Sequence, residues 1–165
     1  VTVVNKQLVR AVFEEALQKQ KIEYLEFDTH PTALNNILWS DNVKTKTGYY
    51  IGYYSFFDEN KEIDFVFLKK NEHLLNEIKN QEKVQSLIKI TQDYYTVKKV
   101  NNRLIVNDLR FGKVNVWQNK LEGEFVFSYQ IENQNNELSI KKIKSDLAID
   151  WKTLTLFHKR IFSYQ

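Results

Sequence analysis

The chain has 165 residues, a formal net charge of +3 and no cysteine, and 42% of its residues are hydrophobic. This length fits one domain, and its 11 Phe, 9 Tyr and 3 Trp residues are too many for a disordered chain. The lack of cysteine excludes disulfides, thiol catalysis and thiolate-held metals. No apolar run approaches the ~20 residues of a membrane span. We therefore expect a single soluble domain over residues 1–165.

Basic residues are spread along the whole chain. The 24 Lys and Arg residues stand among 21 Asp and Glu residues, and only four of the basic residues are arginine. Proteins that bind nucleic acids usually concentrate their positive charge and contact phosphates and guanines with arginine. The charge pattern therefore predicts an ordinary solvated surface and no nucleic-acid partner.

A helix followed by four strands is predicted for the first half of the chain. Residues 5–20 carry apolar side chains at helical spacing, and Asn5 can cap their start. Four runs rich in β-branched and aromatic residues follow, separated by turns that contain Pro31, Gly48 and residues 58–60. The predicted strands are 22–27, 37–46, 49–57 and 63–68.

The second half is similar in element order, without a detectable sequence repeat. A helical period returns over residues 72–88, with Asn71 as a candidate N-cap and a break near residues 80–81. Asp150 is predicted to cap a helix that ends the chain. The strands predicted between these helices are 93–100, 103–109 and 124–131, with a shorter candidate at 138–143.

Hairpin-like links join neighbouring strands, which favours antiparallel pairing over βαβ crossovers. The predicted fold class is therefore α+β. We expect a twisted, mainly antiparallel sheet of about six to eight strands. Helices at the N-terminus, in the middle and at the C-terminus are expected to pack on one face of it.

Catalytic chemistry has little support in the sequence. The three histidines, His30, His73 and His158, are far apart, and none has a second ligand at the spacing of a local metal site. No nucleophile elbow, P-loop or dinucleotide-binding motif is present among only four glycines. The sequence predicts neither a catalytic residue nor a bound metal or other cofactor in this chain.

Two stretches are less ordinary. Residues 29–39 are followed by residues 48–55, and this first stretch places aromatic side chains on both faces of one strand. The pattern fits either a strand buried on both sides or an aromatic-lined pocket or interface. In residues 107–112, Asp108 and Arg110 stand two apart on a strand, so both project from one face. They either pair with each other or bind a partner's carboxylate or phosphate. If both stretches form one site, they should lie close together in space.

These stretches carry a resemblance to a known family. A Pro-Thr turn, an Asn and a Leu-Trp pair are followed by a Tyr-Tyr-x-Gly-Tyr-x-Ser strand, an Asp-Leu-Arg-x-Gly segment and a Phe-x-Phe strand. This combination resembles the C-terminal soluble part of the YdjM-like family of bacterial inner-membrane proteins, and Ala33 stands where many relatives have a second proline. The matching residues are Pro31, Thr32, Asn35, Leu38, Trp39, Tyr49, Tyr50, Gly52, Tyr53, Ser55, Asp108, Leu109, Arg110, Gly112, Phe125 and Phe127.

The resemblance implies a role within a larger protein. Members of that family are described as membrane-bound, metal-dependent hydrolases whose metal ligands lie N-terminal to this region. By resemblance, residues 1–21 form a connector helix from the inner membrane, and residues 22–165 form a domain on its aqueous side. The partners expected from this are the rest of the parent protein and an unidentified substrate or ligand. A divalent metal, if present, would belong to the parent.

Three functions remain open at this stage. The first is a non-catalytic binding or regulatory domain of the parent protein. The second is a domain that completes the parent's active site, with Asp108, Arg110 and His30 supplying acid/base or polarising groups. The third is a stand-alone domain that binds a small ligand in an aromatic-walled pocket. The expected binding residues are Pro31, Thr32, Asn35, Trp39, Tyr53, Asp108 and Arg110.

Overall fold

Two four-stranded antiparallel sheets, each accompanied by helical segments, form the described part of the chain. The computed structural model describes residues 2–32, 37–114, 124–134 and 137–144, together with Thr155, His158, Lys159, Ile161 and Phe162. Within these residues, no helix is both long enough and apolar enough to cross a membrane.

The first sheet follows helix α1 and has the strand order β1-β2-β3-β4. Each strand pairs with its neighbour in sequence, and a tight turn closes the β2–β3 hairpin, where the backbone N–H of Thr45 donates to the oxygen of Gly48 at 2.8 Å. The bounds are α1 Thr2–Lys19, β1 Glu26–Pro31, β2 Leu38–Lys44, β3 Gly48–Ser55 and β4 Val66–Lys69.

Helix α1 covers one face of this sheet because its apolar residues recur at helical spacing and need a partner surface. Its buried side chains pack on residues that alternate onto one face of β2 and β3, with Ile63 from the following loop beside them. The buried cluster contains Val9, Val12, Phe13, Ala16, Leu17, Phe27, Trp39, Val43, Tyr54 and Ile63.

The second sheet has the order β5-β6-β7-β8 and follows a 3₁₀ turn and helix α2. These two helical segments pack on one sheet face and form a core with Tyr95, Val97, Val106, Ile131 and Leu138. The bounds are the 3₁₀ turn Glu72–Leu75, α2 Glu82–Ile90, β5 Tyr95–Val100, β6 Arg103–Val114, β7 Glu124–Gln134 and β8 Glu137–Lys144.

The predicted single sheet of six to eight strands is wrong. The described strands divide into two sheets of four, and β4 and β5, which flank the central helical segments, lie in different sheets. The helices do not share one face either, since α1 covers the first sheet and α2 covers the second. The physical reason is that one amphipathic helix and four hairpin-linked strands can already bury a core. Each helix therefore closes its own sheet.

Several element boundaries also differ from the prediction. Residues 22–25 are not a strand, because Lys21 has a positive φ of 54° and Ile22 donates its N–H back to Leu17, closing the end of α1. Residues 63–65 are not a strand either, and the apolar side chains of Ile63 and Phe65 pack beneath α1. Asn71 occupies the predicted N-cap position, at the start of the 3₁₀ turn, but its side chain makes no capping bond and donates to the backbone oxygen of Val97 at 3.1 Å.

One local prediction is confirmed. The helical pattern over 72–88 does break near residues 80–81, between the 3₁₀ turn and α2. At the C-terminus, the five described residues from Thr155 to Phe162 are helical, and Asp150, the predicted N-cap, lies outside the described residues.

A bulge interrupts β6 between Asp108 and Lys113. Asp108 pairs with Phe127 of β7, whereas Lys113 pairs with Phe125, so four residues of β6 stand opposite one residue of β7. Gly112 has a φ of +70°, a backbone conformation that glycine adopts without the steric cost of a side chain. A bulge of this kind bends the strand that carries it and interrupts its pairing with the neighbouring strand.

Candidate functional site

The 107–112 stretch meets the first sheet at the bulge of β6. The side-chain amide of Asn42 donates a hydrogen bond to the backbone oxygen of Leu109 across 3.0 Å, and both residues are buried. The hydroxyl oxygen of Tyr53 lies 3.5 Å from the position that a Cβ on Gly112 would occupy. Burial raises the pKa of Tyr53. Tyr53 and the 107–112 stretch, which are distant in sequence, are therefore neighbours in the structure.

Asp108 and Arg110 form a bidentate ion pair. Arg110 Nε lies 3.1 Å from Asp108 Oδ1, and Arg110 Nη2 lies 2.8 Å from Asp108 Oδ2. The backbone N–H of Arg110 donates to the same carboxylate at 3.1 Å. Asp108 has no exposed side-chain surface, whereas 25% of the Arg110 side chain is exposed. The hydrogen bond to Asp108 is the main cause that raises the pKa of Arg110.

Next to this ion pair, two cations flank two aromatic rings. The guanidinium carbon of Arg110 lies 5.1 Å from the centre of the Phe111 ring, which is 52% exposed. Phe111 contacts Phe127 edge-to-face with their ring centres 4.7 Å apart. The ammonium of Lys142 lies 3.7 Å from the centre of the Phe127 ring. We call Arg110, Phe111, Phe127 and Lys142 the Arg110 surface.

Trp39 does not join this site. Its side chain is fully buried in the cluster beneath α1. Asn42, three residues along β2, points to the opposite face, where it contacts Leu109 of β6. The first sheet therefore separates the Trp39 indole from the bulge that carries Arg110.

The other predicted binding residues lie near the start of β2. Pro31 pairs with Trp39 in the register of β1 and β2. Thr32 donates from both its backbone N–H and its hydroxyl to the backbone oxygen of Leu38, at 2.9 and 3.1 Å. These contacts close the β1–β2 connection. Asn35 lies outside the described residues.

Strand β3 is buried on both sides, which was one of the two predicted alternatives. Tyr54 packs beneath α1, while Tyr49 and Ser55 on the other face reach the second half of the chain. The Tyr49 hydroxyl donates to the backbone oxygen of Asp93, and the Ser55 hydroxyl donates to that of Ile161. We call Asn42, Tyr49 and Ser55, with the backbone oxygens that they bind, the joint between the first sheet and the second half of the chain.

A row of alternating charges reinforces the joint. Lys44 lies 3.0 Å from Glu26 and 2.8 Å from Asp93, and Lys70 lies 2.8 Å from Asp93 and 3.2 Å from Glu72. Partial burial alone would raise the pKa of Asp93, but the hydrogen bonds from the two lysines outweigh it and lower that pKa. The sequence did not indicate this network, because its members are scattered from residue 26 to residue 93.

His30 has a carboxylate neighbour on the same strand. Its Nδ1 lies 3.8 Å from Asp28 Oδ2, and the His30 side chain is 25% exposed. Burial lowers the pKa of His30, and the nearby Asp28 opposes that effect. An imidazole in this setting is mainly neutral at pH 7 and can accept a proton.

Asp41 is a buried carboxyl group that the sequence reading missed. It has no exposed surface, and its Oδ1 accepts a 2.7 Å hydrogen bond from the Thr29 hydroxyl. Burial raises its pKa to about 7, although the bond from Thr29 acts in the opposite direction. Alternation could have revealed it: Trp39, Asp41 and Val43 share one face of β2, so burying the outer two buries Asp41 as well.

No group of three or more His, Cys, Asp or Glu side chains within the described ranges is placed to hold a metal ion. The comparisons with known proteins add no relative: no protein-family model, no curated protein and no solved structure matches the chain. The resemblance to the YdjM-like family therefore stays a prediction.

Proposed function

We propose that this chain is a binding or regulatory domain, not catalytic by itself, of a larger membrane-bound protein of the YdjM-like type. The observation that carries this proposal is that the side chains of several motif residues form hydrogen bonds within the protein. Tyr49 and Ser55 hydrogen-bond the backbone of the second half of the chain, and Asp108 holds Arg110. Side chains that form internal hydrogen bonds in this way are more typical of a structural role than of a catalytic one.

The framework supports binding because it leaves one part of the motif open. Gly112 and the bulge carry Arg110 and Phe111 to the end of β6, where Phe111 is 52% exposed. In this proposal the Arg110 surface contacts the rest of the parent protein or its ligand. Any divalent metal that the reaction needs is bound by the parent's other segments, on the inner-membrane side of the connector helix.

A second candidate is that the domain completes an active site in the parent. The pair of Asp28 and His30, with Nδ1 and Oδ2 3.8 Å apart, favours it, because a partly exposed imidazole oriented by a carboxylate can act as a general base. A catalytic role of Asp108 is disfavoured, because its side chain has no exposed surface and both of its carboxylate oxygens bind Arg110. Only His30 and Asp28 remain as acid/base groups in this version.

Metal titration and activity assays on the purified chain test the proposal. The chain is dialysed against a chelator and titrated with zinc, manganese or magnesium in a calorimeter, beside phosphoesterase and peptidase assays. We expect neither stoichiometric uptake nor turnover. The proposal is overturned by tight uptake with turnover that His30→Ala abolishes and His73→Ala, at an exposed histidine, leaves intact.

A further inference from the structure

We propose that the Arg110 surface is a receptor for a small organic anion, in which a carboxylate or phosphate group binds Arg110 and an adjoining apolar group lies against Phe111. This inference rests on the proposed binding role and names the chemistry of the ligand. Four features of the surface carry it.

The first feature is the edge of the Arg110 guanidinium that faces away from Asp108. An arginine side chain has five N–H donors in one plane. Two of the donors, one on Nε and one on Nη2, bind Asp108, which is the one acceptor of this side chain in the described part of the protein. The other three donors point away from that carboxylate, as the planar fork requires, and 25% of the side chain is exposed. They match the two oxygens of a carboxylate or phosphate.

The second feature is that Arg110 is oriented before any ligand arrives. Asp108 binds the side chain at two nitrogens and the backbone N–H of the same residue at a third. The side chain therefore loses little conformational freedom when an anion binds. A flexible surface lysine does not have this advantage.

The third feature is local charge. Asp108 neutralises Arg110 in the ion pair, and Lys142, exposed and 3.7 Å from the centre of Phe127, adds a positive charge to the same surface. The surface therefore attracts an anion even though Asp108 is close.

The fourth feature is the exposed ring. Phe111 offers an apolar wall beside the guanidinium, and its contact with Phe127, with ring centres 4.7 Å apart, fixes its position. Arg110 lies over the Phe111 ring and Lys142 lies over the Phe127 ring. Each cation occupies one face of its ring, which leaves less aromatic surface for the stacking of a nucleic-acid base. A small ligand that contacts the exposed part of the Phe111 ring fits better.

The test uses phenyl phosphate, inorganic phosphate, benzoate and phenol as probes of the purified chain. The shift of the Arg110 Nε–H signal in NMR spectra reports binding, and calorimetry gives the affinity. We expect phenyl phosphate to bind about tenfold more tightly than inorganic phosphate, because only the former contacts Phe111. Phenol should not shift the Arg110 signal. Benzoate and phosphate together show which anionic group the site prefers.

Variants separate the parts of the site. Phe111→Ser should reduce the affinity for phenyl phosphate about tenfold and leave that for inorganic phosphate unchanged. Lys142→Gln should weaken both, while Arg103→Gln, which removes the same charge from the other end of β6, should change neither. Lys142 and Phe111 are exposed, so these variants keep the fold even where Arg110→Ala does not.

The proposal is overturned if no probe gives a saturable shift at Arg110, or if Arg103→Gln weakens binding as much as Lys142→Gln does. Failure here is distinct from failure of the proposed function. Turnover by the purified chain would contradict the proposed non-catalytic role and would not affect the proposal of an anion site at the Arg110 surface. A lack of probe binding would contradict the anion site and would leave the proposed non-catalytic role unaffected.

Discussion

The Thr29 hydroxyl donates a 2.7 Å hydrogen bond to Asp41 across the β1–β2 pair, and neither residue has any exposed surface. The other carboxyl oxygen of Asp41 has no hydrogen-bond partner among the described residues. The charged groups around it are Arg10, whose guanidinium lies over Phe27, and Lys6 and Asp28, which lie 3.6 Å apart. Within the described part of the chain, Asp41 is therefore a carboxyl group under helix α1 without a direct cationic partner.

This arrangement predicts a specific pH dependence of stability. The folded-state pKa of Asp41 is about 7, above its ordinary value of 3.8, so the folded state binds the proton more tightly than the unfolded state. Its contribution is fully present below pH 3.8 and is lost as the pH rises to about 7. The loss amounts to roughly 4 kcal/mol at 1.36 kcal/mol per pKa unit.

Urea unfolding at pH 4, 6 and 8 measures the effect. The Asp41→Asn variant should lack this component of the pH profile and be more stable than the wild type at pH 8. Glu59→Gln, which removes an exposed carboxylate, should keep the wild-type profile. Parallel profiles for Asp41→Asn and the wild type would show that Asp41 does not titrate in this range.

Replacing Arg110 should be far more damaging than its partial exposure suggests. Arg110→Ala leaves the fully buried Asp108 carboxylate without its partner, and the expected loss of unfolding free energy is about 3–5 kcal/mol. Arg103→Ala removes a 56% exposed arginine that pairs with Glu132, and it should lose no more than ~1 kcal/mol. Denaturant midpoints of the two variants decide; equal losses would contradict the structural role of Arg110.

Two glycines should resist substitution for different reasons. A Cβ on Gly52 would lie 2.7 Å from Ile63 Cγ2 and 2.8 Å from Phe65, whereas at Gly112 the obstacle is the φ of +70°. Alanine should destabilise the protein by about 1–3 kcal/mol at either position. Asparagine, which tolerates a positive φ, should be milder than alanine at Gly112 and worse than alanine at Gly52. Thermal melts of the four variants test this, and the same order at both sites would refute it.

The joint between the sheets should depend on Asn42. Asn42→Ala leaves the buried backbone oxygen of Leu109 without its donor, and a loss of about 1–3 kcal/mol is expected. Asn133→Ala, at an exposed position of β7, should have little effect. Amide exchange in β6 measured on both variants shows whether the loss is centred at the joint. If Asn42→Ala were as stable as the wild type and amide exchange in β6 were unchanged, the hydrogen bond of Asn42 would not stabilise the contact between the sheets.

Local patterns predicted much of the secondary structure and little of the sheet pairing. The β2–β3 hairpin was readable because Gly48 punctuates two β-rich runs, and the break before α2 was readable from polar residues 80–81. The division into two sheets was not. Hairpin signals identify neighbours along the chain, and they do not say whether β4 and β5 continue one sheet across the helices between them.

For the candidate site too, the sequence predicted the local contacts and not the contacts between distant parts of the chain. The two-residue spacing of Asp108 and Arg110 predicted a common face, and the pairing between them was one of the two stated alternatives. The contacts of Tyr53 and Asn42 with the bulge depend on the packing of two sheets, which no spacing along the chain encodes. Trp39 was expected beside Arg110 because aromatic residues suggest a binding site, and its side chain fills the core instead.

The separation into two cores also implies an order of assembly. In each sheet the strands pair with their neighbours along the chain, so most pairings form between nearby residues, a property of rapidly folding proteins. The joint is different, because Asn42 and Leu109 are 67 residues apart and Ser55 and Ile161 are 106 apart. During synthesis the first helix and sheet can therefore collapse before the second has left the ribosome, and the joint closes last.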